Sequence, residues 1–316
     1  MQRVVVTGAG GFVARELCQR LEETSYEVTR VVRRYESRFT GSNFSVIPDI
    51  AGNTNWNSIL RDHNCVIHLA ARVHVMDETM ADSWNEYLQT NVNGTLNLAQ
   101  QAAAAGVERF IYISSVKVNG ENTYGKPFFP EDKPAPVDFY GQSKYEAEKG
   151  LKKIEEETGL QVVIIRPPLV YGPEVKANFL RLLKWVQKGL PLPFGAIHNK
   201  RSFIYIANLA HFIIKCISHP GAAGETFLVS DGVDLSSPDL IRKMGSYMNR
   251  SNLLIPVPVC FLKLTGRALG RRSEFDRLCG SLQVDISKTA QLLKWNPPVS
   301  QEAGLEKTVA WFLDDV

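Results

Sequence analysis

The sequence predicts an α/β protein with a Rossmann-type doubly wound parallel sheet and a smaller C-terminal substrate lobe. Two observations predict this fold class. Short β-branched runs alternate with segments of helical spacing along the first half of the 316-residue chain. A glycine-rich turn follows the first of these runs, which is where doubly wound folds bind the phosphates of a dinucleotide. The pattern therefore places a nucleotide site near the N-terminus.

The predicted elements follow one another in the order that such a sheet requires. Strands are predicted at residues 4–6, 27–32, 44–47, 65–69, 110–113 and 162–165. Helices are predicted at residues 12–21, 84–105 and 140–157.

The composition of the sequence changes after Pro167 and Pro168, where proline, glycine and basic residues become frequent. We therefore expect a dinucleotide-binding Rossmann domain over residues 1–170 and a smaller substrate lobe over residues 171–316. Some later segments are expected to return to the main sheet, with Val229 and residues 203–206 as candidates.

Composition excludes several classes of protein. A hydrophobic content of 44% and a charged content of 22% are ordinary for a globular enzyme. The net charge of +3 is too small to predict a nucleic-acid surface. The apolar stretch at residues 253–264 is shorter than the roughly 20 residues that span a bilayer. Five cysteines without a C-x-x-C pair, and no apolar leader, predict a reducing, cytoplasmic location and no structural zinc.

The glycine turn lies between the first strand and the first helix. Gly8, Gly11 and Ala14 form a G-x-x-G-x-x-A pattern. Glycine permits unusual backbone angles and a close approach to a pyrophosphate, and the N–H groups that open the helix face the phosphates. The residues predicted to bind the cofactor here are Gly8, Gly10, Gly11, Phe12 and Val13.

The second strand ends in Arg33 and Arg34, where NAD-selective sites usually carry a carboxylate. Arginine suits a 2′-phosphate, so NADP(H) is favoured, with NAD(H) as the alternative. A solvated strand end is the plainer explanation of the two arginines. Asp49 and Ile50 are expected beside the adenine.

Tyr140 and Lys144 form a Tyr-x-x-x-Lys pair on one face of a predicted helix. A lysine ammonium lowers the pKa of a nearby tyrosine, which can then exchange a proton with a carbinol oxygen. The lysine can also hold the nicotinamide ribose, so Tyr140 and Lys144 are predicted to contact the cofactor as well. Ser115 closes the fifth strand and can polarise the same oxygen. The order of glycine turn, strand-end serine and Tyr-x-x-x-Lys predicts a dehydrogenase-type catalytic set of Ser115, Tyr140 and Lys144.

These motifs resemble the extended short-chain dehydrogenase/reductase family, in its nucleotide-sugar epimerase/dehydratase branch. The resemblance spans nearly the whole chain and includes His-Leu-Ala-Ala at 68–71, Asn-Val-Asn-Gly-Thr at 91–95, the segment 166–173 and Leu-Lys-Trp-Asn-Pro at 293–297. It implies further cofactor contacts from Leu69, Ala70, Ala71, Asn91 and Pro167. It also allows a homodimer through the helices at 84–105 and 140–157.

The family binds a nucleoside diphosphate in its C-terminal lobe. The resemblance implies that Asn178 contacts the diphosphate, that Phe194 lies against the uracil and that Arg201 binds a phosphate. A core aromatic and a surface arginine are the alternatives for Phe194 and Arg201. Arg267, Arg271 and Arg272 could add to this anion site, although at least two of them are expected in solvent.

One departure from the family pattern argues against 4,6-dehydration of the sugar. Dehydratases of the family carry Asp-Glu after the catalytic hydroxyl residue, whereas this chain has Val116 and Lys117. The expected activity is reduction of the 4-keto group of a UDP-2-acetamido-2,6-dideoxy-hexos-4-ulose for surface polysaccharide synthesis. The alternatives are a UDP-glucose or UDP-N-acetylglucosamine 4-epimerase and a non-catalytic NADP-binding sensor. The expected partner is a UDP-sugar, with no metal, nucleic acid or membrane span.

Overall fold

The computed structural model describes residues 2–35, 43–73, 80–251, 253–268, 270 and 272–315. The strands of this part of the chain are β1 (Arg3–Thr7), β2 (Glu27–Val32), β3 (Phe44–Val46), β4 (Cys65–His68), β5 (Arg109–Ile113), β6 (Gln161–Arg166), β7 (Leu169–Tyr171), β8 (Arg201–Tyr205), β9 (Thr226–Leu228) and β10 (Asp234–Leu235).

Seven of these strands form the main sheet, in the order β3-β2-β1-β4-β5-β6-β9. Every neighbouring pair in it is parallel. Helices cover both faces of a parallel sheet, so its central strands read as unbroken apolar runs. Val4, Val5 and Val6 are accordingly fully buried. The predicted doubly wound α/β fold is confirmed.

The helices pack around this sheet and build the second lobe. They are α1 (Phe12–Glu22), α2 (Asn57–Leu60), α3 (Met80–Tyr87), α4 (Thr95–Ala104), α5 (Phe139–Thr158), α6 (Ala177–Gln187), α7 (Ile206–Ser218), α8 (Ser237–Tyr247), α9 (Val259–Ala268), α10 (Arg272–Cys279), α11 (Ser287–Leu293) and α12 (Gln301–Asp315). None of the helices in the described ranges is both long enough and apolar enough to cross a membrane.

The predicted helix at 84–105 is divided in the structure. A π-helical segment, Leu88–Gly94, separates α3 from α4. Such wider turns are common at functional sites, and this one carries Asn91. Hydrophobic periodicity does not reveal the interruption, because the flanking turns keep ordinary helical spacing.

The order of the strands reverses between β1 and β4. Chain segments that leave these two strands diverge to opposite faces of the sheet, which opens a crevice at their carboxyl ends. The crevice therefore lies beside Thr7 and His68, the last residues of the two strands.

A second sheet of three strands, in the order β10-β8-β7, belongs to the smaller lobe. The prediction that residues 203–206 return to the main sheet is wrong, because β8 pairs with β7 in parallel and with β10 in antiparallel register. Near Val229 the chain does return: β9 ends one residue before it and pairs with β6.

The unit built around the main sheet, which we call the first unit, also includes residues beyond 170. Phe212 and Ile213 of α7 share a core cluster with Val4 of β1 and Leu17 of α1. Trp295, far along the chain, is part of the same cluster and is 1% exposed. The predicted boundary at 170/171 falls within β7, which pairs with β8 in the smaller lobe, and α7 and β9 beyond it belong to the first core.

A buried ion pair joins α5 to the end of β6. Arg166 donates to both carboxylate oxygens of Glu148, at 3.0 and 2.6 Å, and both side chains are almost fully buried. Its remaining nitrogen donates to Asn119 Oδ1 at 3.0 Å. Removing one partner of such a pair leaves an uncompensated buried charge.

We predict that Arg166→Met lowers the free energy of unfolding by about 3–5 kcal/mol, because the carboxylate of Glu148 loses its cation. The measurement is urea unfolding followed by circular dichroism. Arg242→Met is the matched control, since Arg242 and Asp239 form an exposed pair whose loss costs less than about 1 kcal/mol. Equal effects of the two substitutions would contradict the prediction.

Candidate active site

The glycine turn after β1 has the backbone shape that the sequence predicts. Gly8 has a φ of +69°, and a Cβ on it would lie 2.8 Å from the backbone of Ala70. Gly11 N donates to Gly8 O at 2.8 Å, and Gly11 is the N-cap of α1. No side chain of the described residues caps α1, so the N–H groups of Phe12 and Val13 are left to face a ligand.

The strand ends beside this turn are joined by a chain of hydrogen bonds. Thr7 Oγ1 lies 2.7 Å from His68 Nδ1, and His68 Nε2 lies 2.9 Å from Thr95 Oγ1. Burial lowers the pKa of His68 to about 3, so its imidazole is neutral. Ala70 N donates to Thr7 Oγ1 at 3.4 Å, which brings residues 69–71 against the glycine turn.

Asn91 connects this loop to the catalytic helix. Its amide nitrogen donates to Arg72 O at 3.1 Å and to Ser143 Oγ at 3.0 Å, while Arg72 N donates to its carbonyl oxygen at 2.8 Å. Both N–H groups of the amide are used within the protein. The geometry therefore gives Asn91 a supporting place beneath the loop that follows β4.

The far end of the crevice holds the residues predicted for the adenosine part of a cofactor. Arg33 and Arg34 are exposed directly after β2. Ile50 is buried, and its carbonyl oxygen would lie 2.7 Å from a Cβ on Gly94, while Asp49 is exposed beside it. A positive-φ glycine cradle, an uncapped helix N-terminus and open strand ends fit a nicotinamide dinucleotide.

A cavity of about 340 Å³ lies between the carboxyl end of the sheet and the smaller lobe. It brings together five residues that the sequence predicts for the site, although they are far apart in the chain. These are Ser115, Pro167, Asn178, Phe194 and Arg201. Tyr140 and Lys144 are not among its lining residues, but Lys117, which is, approaches the ring of Tyr140.

The two serines that follow β5, Ser114 and Ser115, have different surroundings. Ser114 Oγ donates to the buried carboxylate of Glu148 at 2.5 Å. Ser115 lines the cavity, and its hydroxyl accepts from Lys117 N at 3.3 Å at the start of a 3₁₀ turn, Val116–Val118. Only Ser115 therefore presents its hydroxyl to the cavity.

Tyr140 lies on the first turn of α5, which Asp138 caps by accepting from Gly141 N at 2.7 Å. The Lys144 Nζ atom lies 5.9 Å from the centre of the tyrosine ring and donates to Ile113 O at 2.8 Å. The structure thus confirms that the two side chains lie on one face of a helix.

The pKa values differ from the expectation for this pair. Burial raises the pKa of Tyr140 well above its ordinary value, and the charge of Asp138 and the neighbouring Tyr87 add to the rise. Burial also lowers the pKa of Lys144 to about 7, against a smaller opposing effect of Glu148. In the protein alone Lys144 is only partly charged near neutral pH, so it does not lower the pKa of Tyr140 as the sequence predicts.

The three residues predicted for the nucleotide part of the substrate differ in exposure. Phe194 is 4% exposed at the cavity wall, Asn178 is exposed on the first turn of α6, and Arg201 is half-buried. Arg201 Nη1 donates to Arg277 O at 2.6 Å and to Gly280 O at 2.9 Å, and burial lowers its pKa to about 10. Its guanidinium thus remains charged at neutral pH, with further N–H groups that can bond to an anion.

A model of the NAD dependent epimerase/dehydratase family matches residues 4–230, more than half of the chain. The chain belongs to this family. The match ends directly after β9, where the first unit completes its sheet.

Individual relatives in this family extend the match to almost the full chain. The UDP-glucose 4-epimerase of Vibrio cholerae is 45% identical over 313 residues, which cover 98% of this chain and 95% of that protein. The N-acetyl-alpha-D-glucosaminyl-diphospho-ditrans,octacis-undecaprenol 4-epimerase of Escherichia coli O157:H7 is 27% identical and covers 98% of this chain and 94% of its own. A crystal structure of UDP-glucuronic acid 4-epimerase from Bacillus cereus with UDP-glucuronic acid and NAD is 25% identical, with a TM-score of 0.79 and 99% of both chains covered.

The sequence did not reveal a network of charged side chains beside Tyr140. Lys117 pairs with Glu121 at 2.8 Å and with Asp138, and its Nζ atom lies 5.9 Å from the Tyr140 ring. Lys117 stood out in the sequence only as a departure from the dehydratase pattern, and the partners 4 and 21 residues away gave no signal. The lysine neutralises the carboxylate that caps the catalytic helix.

Arg277 is a second residue that the motifs do not reveal. It lines the cavity from α10, while Arg267 is exposed on α9. Arg271 and the side chain of Arg272 lie outside the described residues. Across the part of the chain that the structure describes, no three His, Cys, Asp or Glu side chains group together as metal ligands would.

We predict that Lys144 makes the stability of the cofactor-free protein depend on pH. The lysine has a pKa of about 7 in the folded protein and 10.5 ordinarily, so unfolding takes up a proton between these values. The free energy of unfolding should therefore rise with pH, by about 3 kcal/mol between about pH 7 and about pH 9.5.

The measurement is urea unfolding at both pH values. Lys144→Met should remove this component, whereas Lys153→Met, an exposed lysine on the same helix, should keep it. The same pH dependence in Lys144→Met and the unaltered protein would contradict the prediction.

Proposed function

We propose that the protein is a UDP-hexose 4-epimerase that works with NAD. The observation that carries the choice of epimerisation over reduction is the 45% identity, over nearly the full length of both chains, to a protein named a UDP-glucose 4-epimerase. The other two relatives reported above are also named 4-epimerases, although their sugars differ. This identity supports 4-epimerisation better than the 4-keto reduction expected from the sequence.

The catalytic roles are assigned from the geometry. NAD, when bound at the glycine turn, would supply a reversible hydride acceptor for C4 of the sugar. Tyr140 moves the proton of the C4 hydroxyl at its phenol oxygen, and Ser115 donates a hydrogen bond to the same oxygen. Lys144 lies on the same face of α5 as Tyr140 and holds the nicotinamide ribose through its amine. Asn91 holds the loop that follows β4.

The binding roles follow the two ends of the site. Gly8, Gly10 and Gly11 with the N–H groups of Phe12 and Val13 hold the pyrophosphate of the cofactor. Arg33, Arg34, Asp49 and Ile50 surround its adenosine part, and Leu69, Ala70, Ala71 and Pro167 lie along the rest of it. Phe194 packs against the uracil of the substrate, while Arg201 and Asn178 contact its diphosphate.

Epimerisation also bears on how the cofactor is held. An epimerase must keep its cofactor through both hydride transfers, which favours a tightly held NAD over an exchanging NADPH. A homodimer through α4 and α5 remains a prediction of the family resemblance.

We predict that Tyr140→Phe lowers the rate of 4-epimerisation by about a hundredfold to ten-thousandfold, because proton transfer at C4 is lost. UDP-glucose and UDP-N-acetylglucosamine are incubated separately with the purified protein, and the 4-epimers are measured by proton NMR. Tyr145→Phe is the matched control on the same helix. Conversion of neither sugar, together with stoichiometric NADPH oxidation by a UDP-4-keto sugar, would show that the protein is the reductase.

The identity of the cofactor has a separate test. We predict that NAD copurifies with the protein and that replacing both Arg33 and Arg34 by alanine changes NAD affinity by less than about threefold, because NAD lacks the 2′-phosphate these arginines suit. The readouts are chromatography of the released dinucleotide and calorimetric titration of the cofactor-free protein. Copurified NADP, with affinity that falls sharply in the double variant, would contradict the proposal.

A further inference from the structure

The small net charge of the chain conceals a strong separation of charge. Residues 175–200 and 240–273 together hold twelve lysines and arginines and no aspartate or glutamate. Since the whole chain has a net charge of +3, the remaining residues carry nine more acidic than basic side chains. Both basic segments belong to the smaller lobe, so this lobe carries an excess of basic side chains, although three of them pair with carboxylates: Arg242 with Asp239, Lys243 with Glu302 and Lys263 with Asp276.

The same two segments expose large apolar side chains. Leu253, Phe261 and Leu264 are 64%, 58% and 60% exposed. Trp185, Leu190 and Ile255 are also exposed. Large apolar side chains left in water are unfavourable, and grouped exposed apolar residues mark interaction surfaces.

Hydrogen bonds and shared packing place Leu190, Leu253 and Ile255 beside α9. Leu192 N donates to Leu253 O and Ile255 N donates to Leu192 O, both at 2.9 Å, so residue 190 lies near 253–255. Leu254, between the two exposed residues, packs inward on the same core cluster as Leu262 of α9. Leu253 and Ile255 therefore point outward, beside the start of α9.

α9 is apolar on both of its sides. Leu262 and Gly266 are buried, and a Cβ on Gly266 would lie 2.7 Å from the ring of Phe275. Phe261 and Leu264 lie on the opposite side, one turn apart, and each is more than half exposed. Lys263 and Arg267, also one turn apart, are exposed on the same helix.

These residues form what we call the docking face. Its apolar members are Trp185, Leu190, Leu253, Ile255, Phe261 and Leu264, and its exposed basic members are Lys184, Lys188, Lys263 and Arg267. The face adjoins the substrate cavity, because Trp185 of α6 and Phe275 of α10 both line that cavity.

We propose that the docking face binds the surface of an anionic phospholipid membrane. Apolar side chains enter the boundary between headgroups and acyl chains, while lysines and arginines around them meet lipid phosphates. A second copy of the chain fits the face less well, because pairing it with itself would bring like charges together. A nucleic acid would leave the apolar residues in water.

Docking would also fix the position of the cavity relative to the membrane, whatever reaction is catalysed there. Docking places Trp185, and with it one wall of the cavity, next to the headgroup layer. Substrate would then be taken up, or product released, close to the membrane surface.

The test is cosedimentation of the full-length protein with vesicles at physiological salt. One set of vesicles is phosphatidylcholine with one-third phosphatidylglycerol, and the other is phosphatidylcholine alone. We expect binding to the anionic vesicles only, and weaker binding as salt is raised. Absence of binding, or equal binding to both sets, would overturn the proposal.

Variants of α9 locate the binding. Phe261→Ser with Leu264→Ser should weaken binding to anionic vesicles at least about tenfold, since each lost apolar contact is worth on the order of 1 kcal/mol. Leu292→Ser with Leu313→Ser is the matched control, because these leucines are similarly exposed on α11 and α12. Lys263→Gln with Arg267→Gln should weaken binding and flatten its salt dependence.

Two further readouts keep the result interpretable. The melting temperature and the vesicle-free activity of the α9 variants should match those of the unaltered protein, since neither Phe261 nor Leu264 contacts the cavity. Equal vesicle binding by both serine double variants would overturn the proposal. So would analytical ultracentrifugation showing that the α9 substitutions dissociate a dimer, because the face would then be an interface between copies.

Discussion

The buried carboxylate of Glu148 joins the parts of the site that come from different strands. It accepts hydrogen bonds from Ser114 at the end of β5 and from Arg166 at the end of β6, and it lies one helical turn from Lys144 on α5. The catalytic helix is thereby held in register with two strand ends. A buried carboxylate loses its hydration, and these hydrogen bonds offset that loss, so the carboxylate and its partners hold one another in place.

The elements that the sequence predicted well share a local signal. The glycine turn, the capped helix α5 and the apolar strands each follow from residues close together in the chain, and the structure confirms their type and order. The π-helical segment around Asn91 and the pairing of β8 were not predictable in this way. Both depend on contacts with chain more than 15 residues distant, such as those of Asn91 with Ser143 and of β8 with β7.

In the candidate site, too, residues marked by short motifs were predictable and residues brought in only by the fold were not. Ser115, Phe194 and Arg201 were found because family motifs mark them, and the cavity brings them together. Lys117 with Asp138, and Arg277, belong to no short motif, so only the folded arrangement associates them with the site. The electrostatics were the least predictable part, because the sequence shows that a lysine is four residues from a tyrosine but not how deeply both are buried.

The interleaving of the two units also has a consequence during synthesis. β9 and α7 follow the first strands of the smaller lobe in the chain, and Trp295 completes the first core only near the C-terminus. A ribosome that has produced the first 170 residues has therefore released a sheet whose edge at β6 is open and whose α1 face lacks its covering helix. The nucleotide-binding half must wait, with apolar surface unburied, until much of the other half has emerged, which makes the interval a natural point for chaperone assistance.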